Sequence, residues 1–359
     1  MRVFATCDIG PEALERIRQA GIELEVYDQI EAPPKSLILE KLSSGIDGLI
    51  TTLRDEIDEE IFVAGRGHLK IVAQDAVGFD NIDREAANRH RIPFTNTADV
   101  LTNATAEFAF FILGAVSRRL HSSEMLVRDH QWDTWHPFEP FLGAEVTGKT
   151  VAIIGTGRIG RALALKCSGF EMDLLLVDAY PNQQFLDSLK ELGLTRSRLG
   201  LGSRESSVDY VSFDEALARA DYVSLHVPLT DETRHLMNTE SLHEMKPTAF
   251  LINTSRGAVV DESALATALQ QGWIAGAALD VFEKEPLPAD SPLRAPELEG
   301  KMRVFHHFAS ATRETRLSPD PAVGMAGRCV QGLLDVLQGN YDGEPARMPY
   351  VVNKEAFGS

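Results

Sequence analysis

Cysteine is scarce in this chain: three in 359 residues, Cys7, Cys167 and Cys329, with no CxxC pair and no Cys/His ligand spacing. That argues against a disulfide framework or a zinc site, so no metal is expected, and it suits free thiols in a reducing, cytoplasmic compartment. Positive charge is also in short supply, with 35 Lys and Arg against 53 Asp and Glu and a formal net charge of −18. A surface of that sign repels nucleic acid and anionic membrane, so neither is an expected partner. An anionic ligand would need a local cation. Long hydrophobic runs are missing too. The most apolar stretch, "AEFAFFILGAVSRR", carries Glu107 and is broken at Ser117 and Arg118. It is too short to span a bilayer and reads as a buried interdomain or dimer helix. No charged n-region and apolar h-region open the chain, so no secretory signal is expected.

What the sequence does have is rhythm. Residues 1 to 100 alternate short apolar runs ("RVFAT", "DGLITT", "LKIVAQDA") with amphipathic stretches such as "PEALERIRQAG". Repeated βα units of this kind predict a mostly parallel sheet with helices on its faces. In "PEALERIRQAG", Pro11 suits the first helical turn, Leu14 and Ile17 share a face, and Gly21 suits the position past the end. A second αβ series starts at "KTVAIIGTGRIG" and runs to about residue 305, and a long helical pattern follows, "GMAGRCVQGLLDVLQGN". The polar, aperiodic stretch "LTRSRLGLGSRESSVD" (194–209) reads as a surface loop.

The segment "TVAIIGTGRIG" places Gly155, Gly157 and Gly160 between a buried strand and a helix. The first glycine permits a tight turn, the second a close approach of backbone to a pyrophosphate, and the third close helix–strand packing. Asp178 ends the next strand, "DLLLVD", eighteen residues beyond Gly160. A carboxylate there accepts from a ribose diol and repels a 2′-phosphate, so the expected cofactor is NAD. Arg196, Arg198 and Arg204 of the 194–209 stretch keep NADP open as the minority alternative.

Three later apolar runs each end in ionisable residues: "AFLINTSRG" in Arg256, "IAGAALDVFEKEP" in Asp280 and Glu285, and "MRVFHHF" in His306 and His307. If these runs are neighbouring strands, their ends can converge on one site. An arginine fork binds carboxylate and carbonyl oxygens, and a histidine can protonate a carbonyl as hydride arrives. A carboxylate bonded to that histidine favours imidazolium and fixes its tautomer. On a strand, only one of two adjacent histidines would face a given cleft.

With those residues in view, the chain resembles the D-isomer-specific 2-hydroxyacid dehydrogenases, closest to their glyoxylate/hydroxypyruvate reductase branch. The resemblance runs nearly end to end, through "AVGFDNID" (76–83), "TADVLTNATAEFA" (97–109), "GKTVAIIGTGRIG" (148–160), "SLHVPLTDETRHLMN" (224–238), "NTSRGAVVDESAL" (253–265), "GAALDVFEKEP" (276–286) and "VNKE" (352–355). It implies an α/β fold of two Rossmann-like domains with an active-site cleft between them. A flavodoxin-like substrate domain of residues 1–101 plus 306–359 would be discontinuous, with an NAD-binding Rossmann domain, 102–305, inserted. The implied activity is NAD-dependent reduction of a small 2-oxo acid to the D-2-hydroxy acid, in a homodimer.

Residue by residue, the resemblance makes Arg256 the substrate-binding arginine, Glu285 the carboxylate partner and His307 the general acid/base. Asp280 would accept from the nicotinamide carboxamide. Thr105, Arg158, Ile159, Val227, Pro228 and Thr254 would line the cofactor beside the glycines. The N–H groups of Val77 and Gly78 would bind the substrate carboxylate, with Leu53 nearby and Trp135 contributed by the dimer mate. Where the family commonly reads Pro-His-Ile-Gly, this chain reads "HHFA": His306 replaces proline and Ala309 glycine. Formate dehydrogenases of this fold carry glutamine at the place of Glu285, and phosphite dehydrogenase a lysine at that of Val77. The C-terminal-binding transcriptional corepressors share the Arg/Glu/His set, so an NAD-sensing binding protein is the alternative.

Overall fold

The structure, a computed structural model, describes residues 1–135, 137, 142–202, 204–341, 344 and 347–358; parts of the "HQWDTWHPFEPFLG" passage and Ser203 lie outside the described residues. The chain divides into two compact units. Unit 1 is Met1–Leu101 with Ser310–Ser359, and unit 2 is Thr102–Ala309.

Unit 1 holds a five-stranded parallel sheet of β1 (Arg2–Ala5), β2 (Glu23–Val26), β3 (Gly48–Thr51), β4 (Ile71–Gln74) and β5 (Phe94–Thr95), in the order β2-β1-β3-β4-β5. Strand alternation sends successive side chains to opposite faces, and both faces are covered. Val3, Ala5, Ile71 and Ala73 join one core with α1 (Pro11–Gln19) and α13 (Met325–Leu337). Phe4, Leu49, Val72 and Phe94 join the other with α2 (Lys35–Ser43), α3 (Glu59–Ala64) and α4 (Arg84–His90). Helix α1 begins at Pro11, buries Leu14 and Ile17, and is followed by Gly21 at φ 74°. The "VNKE" motif is a structural tether. Asn353, fully buried, accepts from Phe94 N–H at 3.0 Å and donates to the Ile92 carbonyl at 3.0 Å, fixing the C-terminal segment beside β5.

Unit 2 holds seven parallel strands: β6 (Thr150–Ile154), β7 (Asp173–Val177), β8 (Val208–Tyr210), β9 (Tyr222–Leu225), β10 (Phe250–Asn253), β11 (Gly276–Leu279) and β12 (Met302–Val304). Their order, β8-β7-β6-β9-β10-β11-β12, reverses direction between β6 and β9, which is where a doubly wound sheet binds its ligand. Helix α5 (Thr102–Ser117) buries Ala106, Ala109, Ile112 and Leu113 against this sheet and α7 (Arg158–Gly169). A second core joins Val223 and Leu251 of the strands to Leu217, Leu242 and Leu265 of α9 (Phe213–Arg219), α10 (Thr239–Glu244) and α11 (Glu262–Gln271). Among the described residues no helix is long and apolar enough to cross a membrane.

Two expectations are corrected. The second crossover between units falls after Ala309, not after Phe305, because Asp280 in unit 2 binds the backbone of 307–309. The 194–209 stretch is not one loop: helix α8 (Gln183–Arg198) runs through its first five residues and β8 takes its last two. Arg196 ties the last turn of α8 to the end of α7 by donating to the Ser168 and Gly169 carbonyls, a tertiary anchor that the Gly/Ser-rich composition does not display.

Asp75 follows β4, and one of its carboxylate oxygens is buried with no hydrogen-bond partner. Burial pushes its pKa up to about 7, with Arg316 of α12 (Arg313–Leu317) the opposing charge, while the free thiols of Cys7 and Cys329 lie within its field. An acid whose folded pKa is raised destabilises the fold progressively as pH rises from its unfolded value near 4 to about 7. Asp75→Asn should therefore raise Tm at pH 8 by about 3 °C or more, and by clearly less at pH 5. Thermal melts at the two pH values test this; equal changes would contradict it.

Candidate active site

The glycine turn joins β6 to α7. Gly155 has φ 95°, and a Cβ there would stand 2.7 Å from the His226 carbonyl oxygen and 3.0 Å from Val227 Cγ1. A Cβ on Gly160 would meet the Gly155 carbonyl oxygen at 2.0 Å. The protein's own packing thus demands both glycines. Gly157 differs: a Cβ there would touch nothing within 4 Å, so no protein atom requires a glycine. It is also the N-cap of α7 and has no side chain to cap the first-turn N–H groups. Those donors and that clear approach fit a pyrophosphate. Arg158 opens the helix exposed, Ile159 packs into the core below, and Val227 and Pro228 follow β9 on the other side of the switch point.

Asp178 lies just past β7. Its Oδ2 accepts from Thr156 N–H at 2.6 Å and Thr156 Oγ1 at 2.7 Å, and its Oδ1 from Tyr180 N–H at 2.9 Å. Burial pushes this carboxyl upward, but the bonds from Tyr180 and Thr156 and the charge of Arg161 hold it below the usual range, so it stays ionised. Two of the arginines that kept NADP open, Arg196 and Arg204, are engaged at the opposite end of the strand. Arg204 binds Asp173 and the Glu171 carbonyl, both at 2.8 Å, at the start of β7, and Arg196 binds Ser168 and Gly169. Arg198 ends α8 at that same edge.

The second group of residues stands at the carboxyl ends of β10, β11 and β12, which pair in parallel register. Arg256 follows β10 in a loop shaped by Asn253, whose Nδ2 donates to the Arg256 carbonyl at 2.9 Å and whose Oδ1 accepts from Ser255 N–H at 3.0 Å. Glu285 follows β11, with Oε1 accepting from Phe282 N–H at 3.0 Å and Oε2 lying 2.8 Å from His307 Nδ1. Burial raises the Glu285 carboxyl, yet His307 and the nearby Arg256 charge bring it below its ordinary value. An ionised acceptor at Nδ1 leaves Nε2 as the working nitrogen of the ring.

His306 and His307 lie beyond β12, so strand alternation does not separate them. His307 takes a left-handed conformation, φ 57°, with its N–H bonded to the Asp280 carbonyl at 2.8 Å. Its neighbours turn elsewhere: the exposed His306 ring lies 5.2 Å from that of Phe308, which meets Phe108 of α5 edge-on at 5.8 Å. Asp280 is fully buried, and its two oxygens accept from Phe308 N–H at 2.6 Å and Ala309 N–H at 2.8 Å.

In unit 1, the loop after β4 carries Val77 and Gly78. Thr97 N–H holds the Ala76 carbonyl at 2.9 Å, and Asn96 Nδ2 holds the Val77 carbonyl at 2.8 Å. In trans peptides the next N–H points opposite each carbonyl, so the Val77 and Gly78 N–H groups are turned away from 96–97. Neither donates to another group among the described residues.

Thr105 is buried on α5, and buried Thr254 has an Oγ1 with no partner among the described residues, a polar atom suited to a ligand. Leu53 is 36% exposed and Trp135 77% exposed. Sequence reasoning missed Asn253, Asn96 and Thr156, whose side chains shape the three loops. It also missed Gly257, where a Cβ would lie 1.8 Å from the Phe282 carbonyl carbon and 2.4 Å from Glu283 N. The same two loops are tied by Glu262 and Glu283, each carboxylate accepting the other's N–H, at 2.7 and 3.1 Å.

A glycine turn between strand and helix with an ionised carboxylate past the next strand, and an Arg/Glu/His set at the same sheet edge, are the parts of a nicotinamide-dependent oxidoreductase. Residues 110–299 match the D-isomer specific 2-hydroxyacid dehydrogenase, NAD binding domain. The chain is 45% identical over 316 residues, 88% of each protein, to a glyoxylate reductase of Korarchaeum cryptofilum. Among solved structures, the TT0316 protein of Thermus thermophilus superposes with TM-score 0.82 at 38% identity, covering 98% of this chain and all of that one. A D-lactate dehydrogenase of Aquifex aeolicus, solved with NAD and lactic acid, gives TM-score 0.76 at 26% identity over 98% and 99% of the two chains. The chain belongs to the D-isomer specific 2-hydroxyacid dehydrogenase family, and its cofactor is NAD.

Gly257→Ala should force the 256–257 backbone off the 282–283 loop and so separate Arg256 from Glu285. A loss of about a hundredfold in kcat/KM is expected from a displacement of about 1 Å. Steady-state kinetics check it; wild-type kinetics would show that the close approach is dispensable.

Proposed function

We propose that this enzyme reduces a small 2-oxo acid of the glyoxylate or hydroxypyruvate type to the D-2-hydroxy acid, with His307 as proton donor. One observation carries the reading: the 2.8 Å bond between His307 Nδ1 and a Glu285 carboxylate whose ionised form Arg256 also favours. The relatives named glyoxylate reductase support the substrate class.

NADH, when bound along the glycine turn, supplies the hydride. Glu285 fixes the tautomer of His307 and stabilises the imidazolium, which gives its Nε2 proton to the carbonyl oxygen of the substrate. Arg256 holds the substrate's carboxylate and carbonyl oxygens in its planar fork. Asp178, held ionised, accepts from the adenosine ribose and disfavours a 2′-phosphate there.

We also propose a homodimer in a cytoplasmic setting. Helix α6 (Leu120–Arg128) has no buried residue, and Phe111, Leu120, Val127 and Trp132 are all more than half exposed, an apolar face suited to a second copy. Sedimentation velocity reads this directly. All three cysteines are free thiols, which suits a reducing compartment.

A panel of 2-oxo acids assayed by NADH oxidation tests the reaction. Turnover with glyoxylate or hydroxypyruvate is expected, with NADPH about a hundredfold poorer because its 2′-phosphate would face Asp178. Tight NADH binding without turnover of any acid would mark an NAD-sensing protein instead. His307→Ala should lower kcat by about 10²- to 10⁴-fold, the usual worth of a positioned acid. His306→Ala should cost less than about threefold on the same scale, and equal losses would overturn the assignment.

A further inference from the structure

We propose that Phe308 is a positioning residue for His307: with Phe305 it grips the Phe108 ring of α5, and that grip holds the turn that brings the imidazole onto Glu285. The inference rests on the reading of His307 as proton donor and adds what keeps the ring in place.

Residues 305 and 308 are three apart in the chain. In a continuing β-strand their Cα atoms would stand about 10 Å from one another, with the side chains leaving on opposite faces. Here both reach the same partner. The Phe305 ring meets Phe108 edge-on at 5.1 Å and 82°, and the Phe308 ring meets it at 5.8 Å and 65°. The chain comes back to Phe108 because it turns in between, where His307 takes its left-handed φ of 57°. A side chain other than glycine keeps such a backbone only where its surroundings hold it. Two edge-to-face contacts, both within the roughly 4.5–7 Å range of favourable aromatic pairs, supply part of that hold.

The turn is tied in two directions. Hydrogen bonds tie it to β11 and the residue beyond: Phe305 N–H to the Leu279 carbonyl at 2.9 Å, His307 N–H to the Asp280 carbonyl at 2.8 Å, and the next two N–H groups to the Asp280 carboxylate. Each carboxylate oxygen can accept a second bond, so these contacts leave Asp280 available to a ligand. The rings tie the turn to α5, which packs against β10, β11 and β12. Phe308 stays 41% exposed, so filling a core does not account for it. Its ring has two aromatic neighbours, Phe108 and, at 5.2 Å, His306. His306 sits at the outer end of this series, and its removal leaves the Phe108–Phe308 contact intact. Rings at 306 and 308 thus stand where the family's pattern has proline and isoleucine, and contact between side chains takes the place of proline's fixed φ.

Phe308→Ala, Phe308→Leu and Phe308→Tyr, assayed with NADH and glyoxylate or hydroxypyruvate, test the grip. Expected is a fall in kcat of about 10- to 100-fold in Phe308→Ala and about fivefold or more in Phe308→Leu, which keeps apolar bulk without a ring. Phe308→Tyr keeps the ring and should stay within about threefold of wild type. In all three, KM and the NADH Kd from fluorescence titration should stay within about threefold, because the ring touches neither ligand. The double variant Phe108→Leu/Phe308→Leu should lose no more kcat than Phe108→Leu alone, since both changes remove one contact. Multiplying losses would overturn the proposal, as would wild-type kcat in Phe308→Ala. A raised KM or NADH Kd with kcat preserved would do so too, making Phe308 a ligand contact. If Phe308→Ala does not fold, the leucine and tyrosine variants carry the same comparison. Wild-type kcat in His307→Ala would sink the proton-donor reading itself, whatever the Phe308 variants show.

Discussion

The parallel pairing of β10, β11 and β12 is the constraint on which the site depends. Parallel strands end their carboxyl termini along one edge, and here that edge delivers Arg256, Asp280, Glu285 and His307 from three neighbouring loops. Register alone brings the backbones side by side; it does not orient the side chains. That finer step comes from contacts between the loops: Gly257 against 282–283, the reciprocal Glu262 and Glu283 bonds, and the Asp280 bonds to 307–309. The chemistry sits on a rigid edge, and the loops interlock to refine it.

The coarse layout was legible in the sequence because it rests on periodicity and on glycine. Short apolar runs alternating with amphipathic stretches yield two parallel sheets, and the spacing of Gly155, Gly157 and Gly160 marks the β6–α7 turn. The strand-end residues were legible for the same reason: a run that finishes in Arg, Asp or His in a doubly wound fold finishes where ligands bind. Side chains that bond to distant backbone were not legible. Asn96 on the Val77 carbonyl and Asp280 on the Ala309 N–H are separated from their partners by 19 and 29 residues, and no local pattern announces them. The left-handed backbone of His307 was hidden likewise, since nothing in "HHFA" distinguishes a strand end from a turn.

Composition misled in one place. "LTRSRLGLGSRESSVD" has the residues of a loop, yet helix α8 persists to Arg198 because Arg196 finds carbonyls at the end of α7 to satisfy. The outcome bears on cofactor choice: Arg196 and Arg204 are anchored at the amino edge of the sheet, away from Asp178 at the carboxyl edge.

Unit 1 is assembled from both ends of the chain, and this sets an order of events. Helix α13 buries Val330 and Leu333 against β-strands translated before unit 2, and Asn353 closes the edge at β5. On the ribosome, where domains fold as they emerge, the first strands must wait exposed while all of unit 2 is translated. The nucleotide-binding unit, continuous in sequence, can complete its sheet first. Strands β1 to β4, translated before unit 2, thus reach their native surroundings after it, and a nascent chain halted before α13 would carry a finished Rossmann sheet and an open one.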